Sequence, residues 1–106
     1  MKQNLNLEQS IEIWKNQHGK LFKTTIDGEV FIWRRIKRKE YVDIVNSGEE
    51  DTDEDIFKRQ EEVVKTAILY PENIEQILEE CAGYTATLSE EILLKSGFGL
   101  PSTEEI

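Results

Sequence analysis

Leu7, Ile11, Trp14 and His18 recur at intervals of 4, 3 and 4 residues, the stripe of an amphipathic helix, and Gly19 is placed to end it. The period then changes. Lys20 to Trp33 reads as two β-rich runs flanking Asp27-Gly28, a dipeptide that supplies the positive φ angles of a tight turn and so predicts a hairpin. On the return strand Val30 and Ile32 point to one face and Phe31 and Trp33 to the other, so helices must cover a hairpin that would be marginal alone in water. Between Lys37 and Asn46, Tyr41, Ile44 and Val45 return to helical spacing, with Asn46-Ser-Gly48 as the stop. A helix from Asp53 to Leu69 is expected to bury Ile56, Val63 and Ala67, with Phe57, Val64 and Ile68 as further candidates. Pro71 should stop that helix and start another, whose stripe Ile74, Ile77, Leu78 and Cys81 ends at Gly83. Thr87 and Glu90 have the spacing of a capping box and predict a short helix through Ile92 and Leu93 to Ser96, broken by Gly97.

These elements predict an α+β fold, mainly helical, with one β-hairpin packed against four or five short α-helices. Residues 1–98 form a single domain in this reading, an acidic loop lies at 47–53, and 99–106 are a mobile C-terminal tail. A hydrophobic share of 38% is enough for a core in a chain of 106 residues. Charge narrows the partners. With 22 Asp and Glu against 13 Lys and Arg, the net charge of −9 repels a phosphate backbone and argues against nucleic acid. The single Cys81 excludes an internal disulfide framework and a Cys-based zinc site. No apolar run is long enough for a membrane span, and Met-Lys-Gln-Asn-Leu-Asn-Leu-Glu lacks the apolar centre of a signal peptide, so a soluble cytoplasmic protein is expected.

Chemistry is sparse. Arg34-Arg-Ile-Lys-Arg-Lys39 holds five of the thirteen basic residues at the exit of a strand and the start of a helix. Followed closely by Glu40 and the acidic loop, it reads as a solvated face that attracts either that loop or an acidic partner. Asp51, Asp53, Asp55 and Glu62 imitate a calcium loop, but Ile56 stands where the sharp turn needs glycine, so only diffuse cation binding is expected there. His18 has no evident nucleophile or carboxylate to work with and reads as a capping or packing residue. Cys81, on an apolar stripe, reads as a buried inert thiol. Gly97-Phe-Gly99 is followed by no Lys-Ser or Lys-Thr, so it is not a phosphate loop. The expectation is therefore a protein without catalytic, cofactor-binding or metal residues. Interaction chemistry remains, because 2 Trp, 3 Tyr and 4 Phe are more rings than so short a chain buries completely. Tyr84 and Phe98, flanked by glycine, are the first candidates for exposed anchors, with closure of the helical core as the alternative role.

Three segments together carry a resemblance: Phe31-Ile-Trp33-Arg-Arg-Ile-Lys-Arg-Lys-Glu-Tyr41, Glu61-Glu-Val-Val-Lys-Thr-Ala-Ile-Leu-Tyr-Pro-Glu72, and Ala82-Gly-Tyr-Thr-Ala-Thr-Leu-Ser-Glu-Glu-Ile-Leu-Leu-Lys-Ser-Gly-Phe98. Over residues 29 to 98 the chain resembles small tail or baseplate-hub assembly chaperones of large tailed bacteriophages. It departs from them at Thr66 and Ala67, where those proteins tend to carry a cysteine before Leu-Tyr-Pro-Glu. The resemblance implies a non-enzymatic protein of the infected host's cytoplasm that binds another phage tail or baseplate protein. Its candidate partner-binding residues are Trp33, Tyr41, Tyr70, Tyr84 and Phe98. Two rivals stand beside it: a structural subunit retained in the virion, and an acidic inhibitor of a host DNA-binding protein. For the second, the six carboxylates in residues 49–55 would imitate phosphates.

Overall fold

The computed structural model describes residues 6–47 and 53–106. The chain folds as five helices and a three-stranded antiparallel sheet, in the order α1 (Leu7–His18), β1 (Leu21–Ile26), β2 (Glu29–Arg34), α2 (Arg38–Val45), α3 (Asp53–Ala67), β3 (Ile68–Tyr70), α4 (Ile74–Glu80) and α5 (Tyr84–Lys95). This is the expected α+β class, mainly helical. The α1 start is closed by a capping box, in which the Gln9 N–H donates to Asn6 Oδ1 at 2.8 Å and the Asn6 N–H donates to Gln9 Oε1 at 3.2 Å. Asp27 (φ 50°) and Gly28 (φ 82°) both take the left-handed backbone that the two-residue hairpin turn requires. No helix among the described residues is long and apolar enough to cross a membrane.

The strand order is β1-β2-β3, with β2 in the middle. Phe31 and Trp33 enter the main core, with Ile36, Ile44, Val63, Val64, Ala67, Ile74, Leu78, Leu88 and Ile92. Ile32 is also buried, on the other face, between Lys23 and Tyr70 in the register. A central strand apolar on both faces needs cover on both, and α1 supplies part of it by packing against β1. Phe22 lies opposite Trp33 and stacks on it at 4.7 Å, while the Trp33 indole N–H donates to Thr24 Oγ1 at 2.9 Å. The largest buried side chain thus has both its ring face and its polar atom partnered.

Several boundaries differ from expectation for identifiable reasons. The helix expected to reach Leu69 ends at Ala67, and Ile68–Tyr70 become a third strand. Proline disfavours helical backbone in the residue before it, and the free edge of β2 offers hydrogen bonds to an extended segment. Its register with β2 shifts by one residue between Ile32 and Trp33. Pro71 follows this strand through a cis peptide bond, and the next helix starts at Ile74 instead. That helix stops one residue before Cys81, which is the extended C-cap and half-buried instead of lying on a buried stripe. The following helix begins at Tyr84, a turn earlier than the Thr87 capping box suggested, with Gly83 as its N-cap. Ile56 and Phe57 are exposed, at 46% and 64%, because α3 packs through its C-terminal half, where Val63, Val64 and Ala67 are buried. Residues 99–106 form no helix or strand and are exposed. Most of the expected acidic loop, including Asp51, lies outside the described residues, whereas Asp53 and Asp55 belong to the first turn of α3.

Candidate functional site

The end of β2 and the start of α2 are fixed by one charged node. Arg34 forks onto Glu40 with two hydrogen bonds of 2.8 Å and donates a third, at 3.1 Å, to the carbonyl of Thr66 in the last turn of α3. Glu40 also accepts the Lys37 N–H at 2.9 Å, closing the first turn of α2. The Arg34 fork, aided by the Lys37 N–H, holds the Glu40 carboxyl down at about 2, and the same contact raises Arg34 above its ordinary value. Consumed by this node, Arg34 is not available to a ligand.

Around it the segment from Arg35 to Tyr41 is pinned to the far end of the chain. The Ile36 N–H donates to Ser96 Oγ at 3.1 Å, across sixty residues of sequence. Just beyond Ser96, Gly97 adopts φ 109° and the Phe98 N–H reaches back to the Leu93 carbonyl at 3.0 Å. This Schellman-type ending points the Phe98 ring back along the molecule. The ring meets that of Tyr41 at 4.7 Å between centroids, tilted by 44°. Phe98 nonetheless remains 52% exposed. Replacing Gly97 with Ala puts a Cβ on a positive-φ position that has open space around it, so the cost is backbone strain alone, about 1–2 kcal/mol. Thermal melting should show that loss, together with a weaker Tyr41–Phe98 contact by nuclear Overhauser measurements.

The ring pair forms one end of a groove. A cavity of about 240 Å³ is lined by Ile36, Lys37, Arg38, Tyr41, Ser96, Gly97 and Phe98. A second of about 280 Å³ shares Ile36 and Lys37 with the first and continues past Arg34 and Arg35 to Lys20 and His18. Lys20, Arg35, Lys37 and Arg38 pair with no carboxylate of the described residues. Lys20 and Arg35 instead lie over the Phe22 ring, 6.0 and 5.6 Å from its centroid. Among the described residues, a strip of cations without an ion-pair partner thus lies beside the half-open Tyr41–Phe98 ring pair.

Of the residues singled out from sequence, the structure brings Tyr41 and Phe98 together and disperses the others. Trp33 is 2% exposed and enclosed in the core, with no surface to offer in this state. Tyr84 opens α5, half-buried, with its ring edge-on to Phe31 at 5.7 Å, which is the core-closing role. Tyr70 borders a separate cleft of about 340 Å³ formed with Leu7, Ser10, Trp14, Leu69 and Pro71. His18 is exposed at the end of α1 beside Lys20. Three of the groove cations, Arg35, Lys37 and Arg38, belong to the basic run whose pattern reads as a solvated face, Lys20 to the start of the hairpin, and their alignment with Phe98 depends on a contact that no local pattern encodes. Among the described residues no three His, Cys, Asp or Glu side chains converge as a metal site would require.

No family model and no curated protein sequence matches the chain. Among solved structures, an uncharacterised protein, rbstp2171 from Bacillus stearothermophilus, is similar with a TM-score of 0.65 and 18% sequence identity, over 90% of this chain and 99% of that one. At that identity the likeness concerns the fold alone.

Proposed function

We propose that this protein is a non-enzymatic assembly chaperone or adaptor of a bacteriophage tail, acting in the cytoplasm of the infected cell by binding another tail or baseplate protein. The observation that carries the reading is the Tyr41–Phe98 ring pair, held from two sides by the Ile36–Ser96 bond and the Gly97 turn yet left half open to solvent. An exposed aromatic anchor on a rigid seat is the usual centre of a protein interface. A negative net charge keeps such a carrier from associating with itself while its ring surface covers apolar surface on a client. Segments that resemble tail assembly chaperones include both rings, and they supply the phage context.

The test is co-expression with each tail and baseplate protein of the source genome, followed by co-purification and a search for the protein in finished particles. Tyr41→Ala and Phe98→Ala are each expected to weaken capture of the partner about tenfold or more while the domain stays folded, because Phe98 is half exposed and Tyr41 lies at the edge of the core. Retention in mature particles at fixed copy number would favour the structural-subunit reading. Equal losses of stability and capture would remove the ring pair from the interface.

A further inference from the structure

We infer that the groove from Phe98 to Lys20 receives a short acidic segment of the partner protein, lying extended, with an apolar side chain against the Tyr41–Phe98 rings and carboxylates over Arg38, Lys37, Arg35 and Lys20. This rests on the protein-binding reading above and adds the chemistry of what is bound. Two observations carry it. The two cavities share Ile36 and Lys37 in their linings, so the rings of one and the cations of the other lie side by side. The four cations form no ion pair with a carboxylate of the described residues. Glu40 is held by the Arg34 fork and feels the Lys37 ammonium only through longer-range attraction.

Shape and field select the occupant. Two adjoining cavities of about 240 and 280 Å³ suit side chains of an extended segment entering one after another. Charges screen over ~8 Å at physiological ionic strength. A short acidic segment close to the strip therefore meets mainly its cations, whereas a long polyanion also meets the field of a molecule with net charge −9. The geometry thus favours an acidic peptide over nucleic acid.

Binding of fluorescein-labelled peptides tests this by anisotropy. One peptide of about twelve residues carries Asp and Glu around a single Leu-Phe pair, its isostere carries Asn and Gln at the same places, and a single-stranded oligonucleotide of matching charge is the third probe. The acidic peptide should bind at least about tenfold tighter than its isostere, and should weaken as salt rises from about 50 to about 300 mM. The charge-reversed variant Lys37→Glu/Arg38→Glu should lose about tenfold or more, and amide shifts on binding should run from Lys20 through Ile36 to Phe98. Both substituted positions are exposed, and circular dichroism should show the variant to be folded.

Equal binding of the isostere, an unaffected charge-reversed variant, tighter binding of the oligonucleotide, or no binding of the acidic peptide would each overturn the inference. The two readings separate cleanly. Capture of a tail protein that depends on Tyr41 but is indifferent to charge reversal would sink this inference alone. Peptide binding without capture of any tail protein would leave the groove and sink the phage assignment.

Discussion

Replacing Trp33 with alanine is expected to remove about 3–5 kcal/mol of stability, a large share of the about 5–15 kcal/mol that a domain normally has. The indole is 2% exposed, stacks on Phe22 and donates to Thr24 across the first strand pair. Truncation leaves a cavity at the centre of the sheet and strands the Thr24 hydroxyl. Urea titration should show the midpoint falling with the slope unchanged, as for a loss of native packing. Trp33→Phe keeps the stack and forfeits the N–H, and should cost about 1–2 kcal/mol. A Trp33→Ala protein of near-normal stability would contradict the placement of this ring in the core.

The second large effect belongs to Arg34. Arg34→Met keeps the aliphatic stem but leaves Glu40 without its fork and the Thr66 carbonyl without a donor. The side chains of the pair are 15% and 29% exposed, so solvent softens the loss to about 2–3 kcal/mol, below the cost of breaking a fully buried pair. Its pH dependence has a definite sign. Glu40 titrates at about 2 in the folded protein against an ordinary 4.5, so the unfolded chain takes up the proton first as pH falls. The contribution is complete above about pH 5 and is lost progressively towards pH 2. Other carboxylates titrate over the same range, and their protonation also relieves the repulsion of a net charge of −9. The informative quantity is therefore the stability difference between wild type and Arg34→Met, which should shrink steadily below pH 5. A difference constant from pH 7 to pH 3 would show that the ion pair contributes little beyond its packing.

The hairpin, the α1 limits and the helical face of Val63 and Ala67 could all be read from the chain, because each rests on local turn chemistry or on one period. The third strand could not. Ile68-Leu-Tyr70 continues an apolar helical pattern, and Pro71 together with the free edge of β2 makes extension the better choice. The exposure of Ile56, and of Phe57 beside it, has a related reason: periodicity marks the side of a helix that is apolar, not the part of its length that finds a neighbour. Tyr84 and Phe98 both follow a glycine, yet one closes the core on Phe31 and the other stands half open on Tyr41. The difference lies in the elements they meet, α2 for Phe98 and the sheet for Tyr84.

The bond from Ile36 to Ser96 also sets an order of events during synthesis. A nascent chain that has emerged only as far as α4 already contains every residue of the three-stranded sheet and all four groove cations. It lacks the hydroxyl that pins Ile36 and the ring that completes the seat. Under the proposed binding role, capture through this surface waits until Phe98 has left the ribosome and α5 has docked. Under that proposed role, a ribosome-bound chain stalled before Ser96 should not compete with the finished domain for the partner.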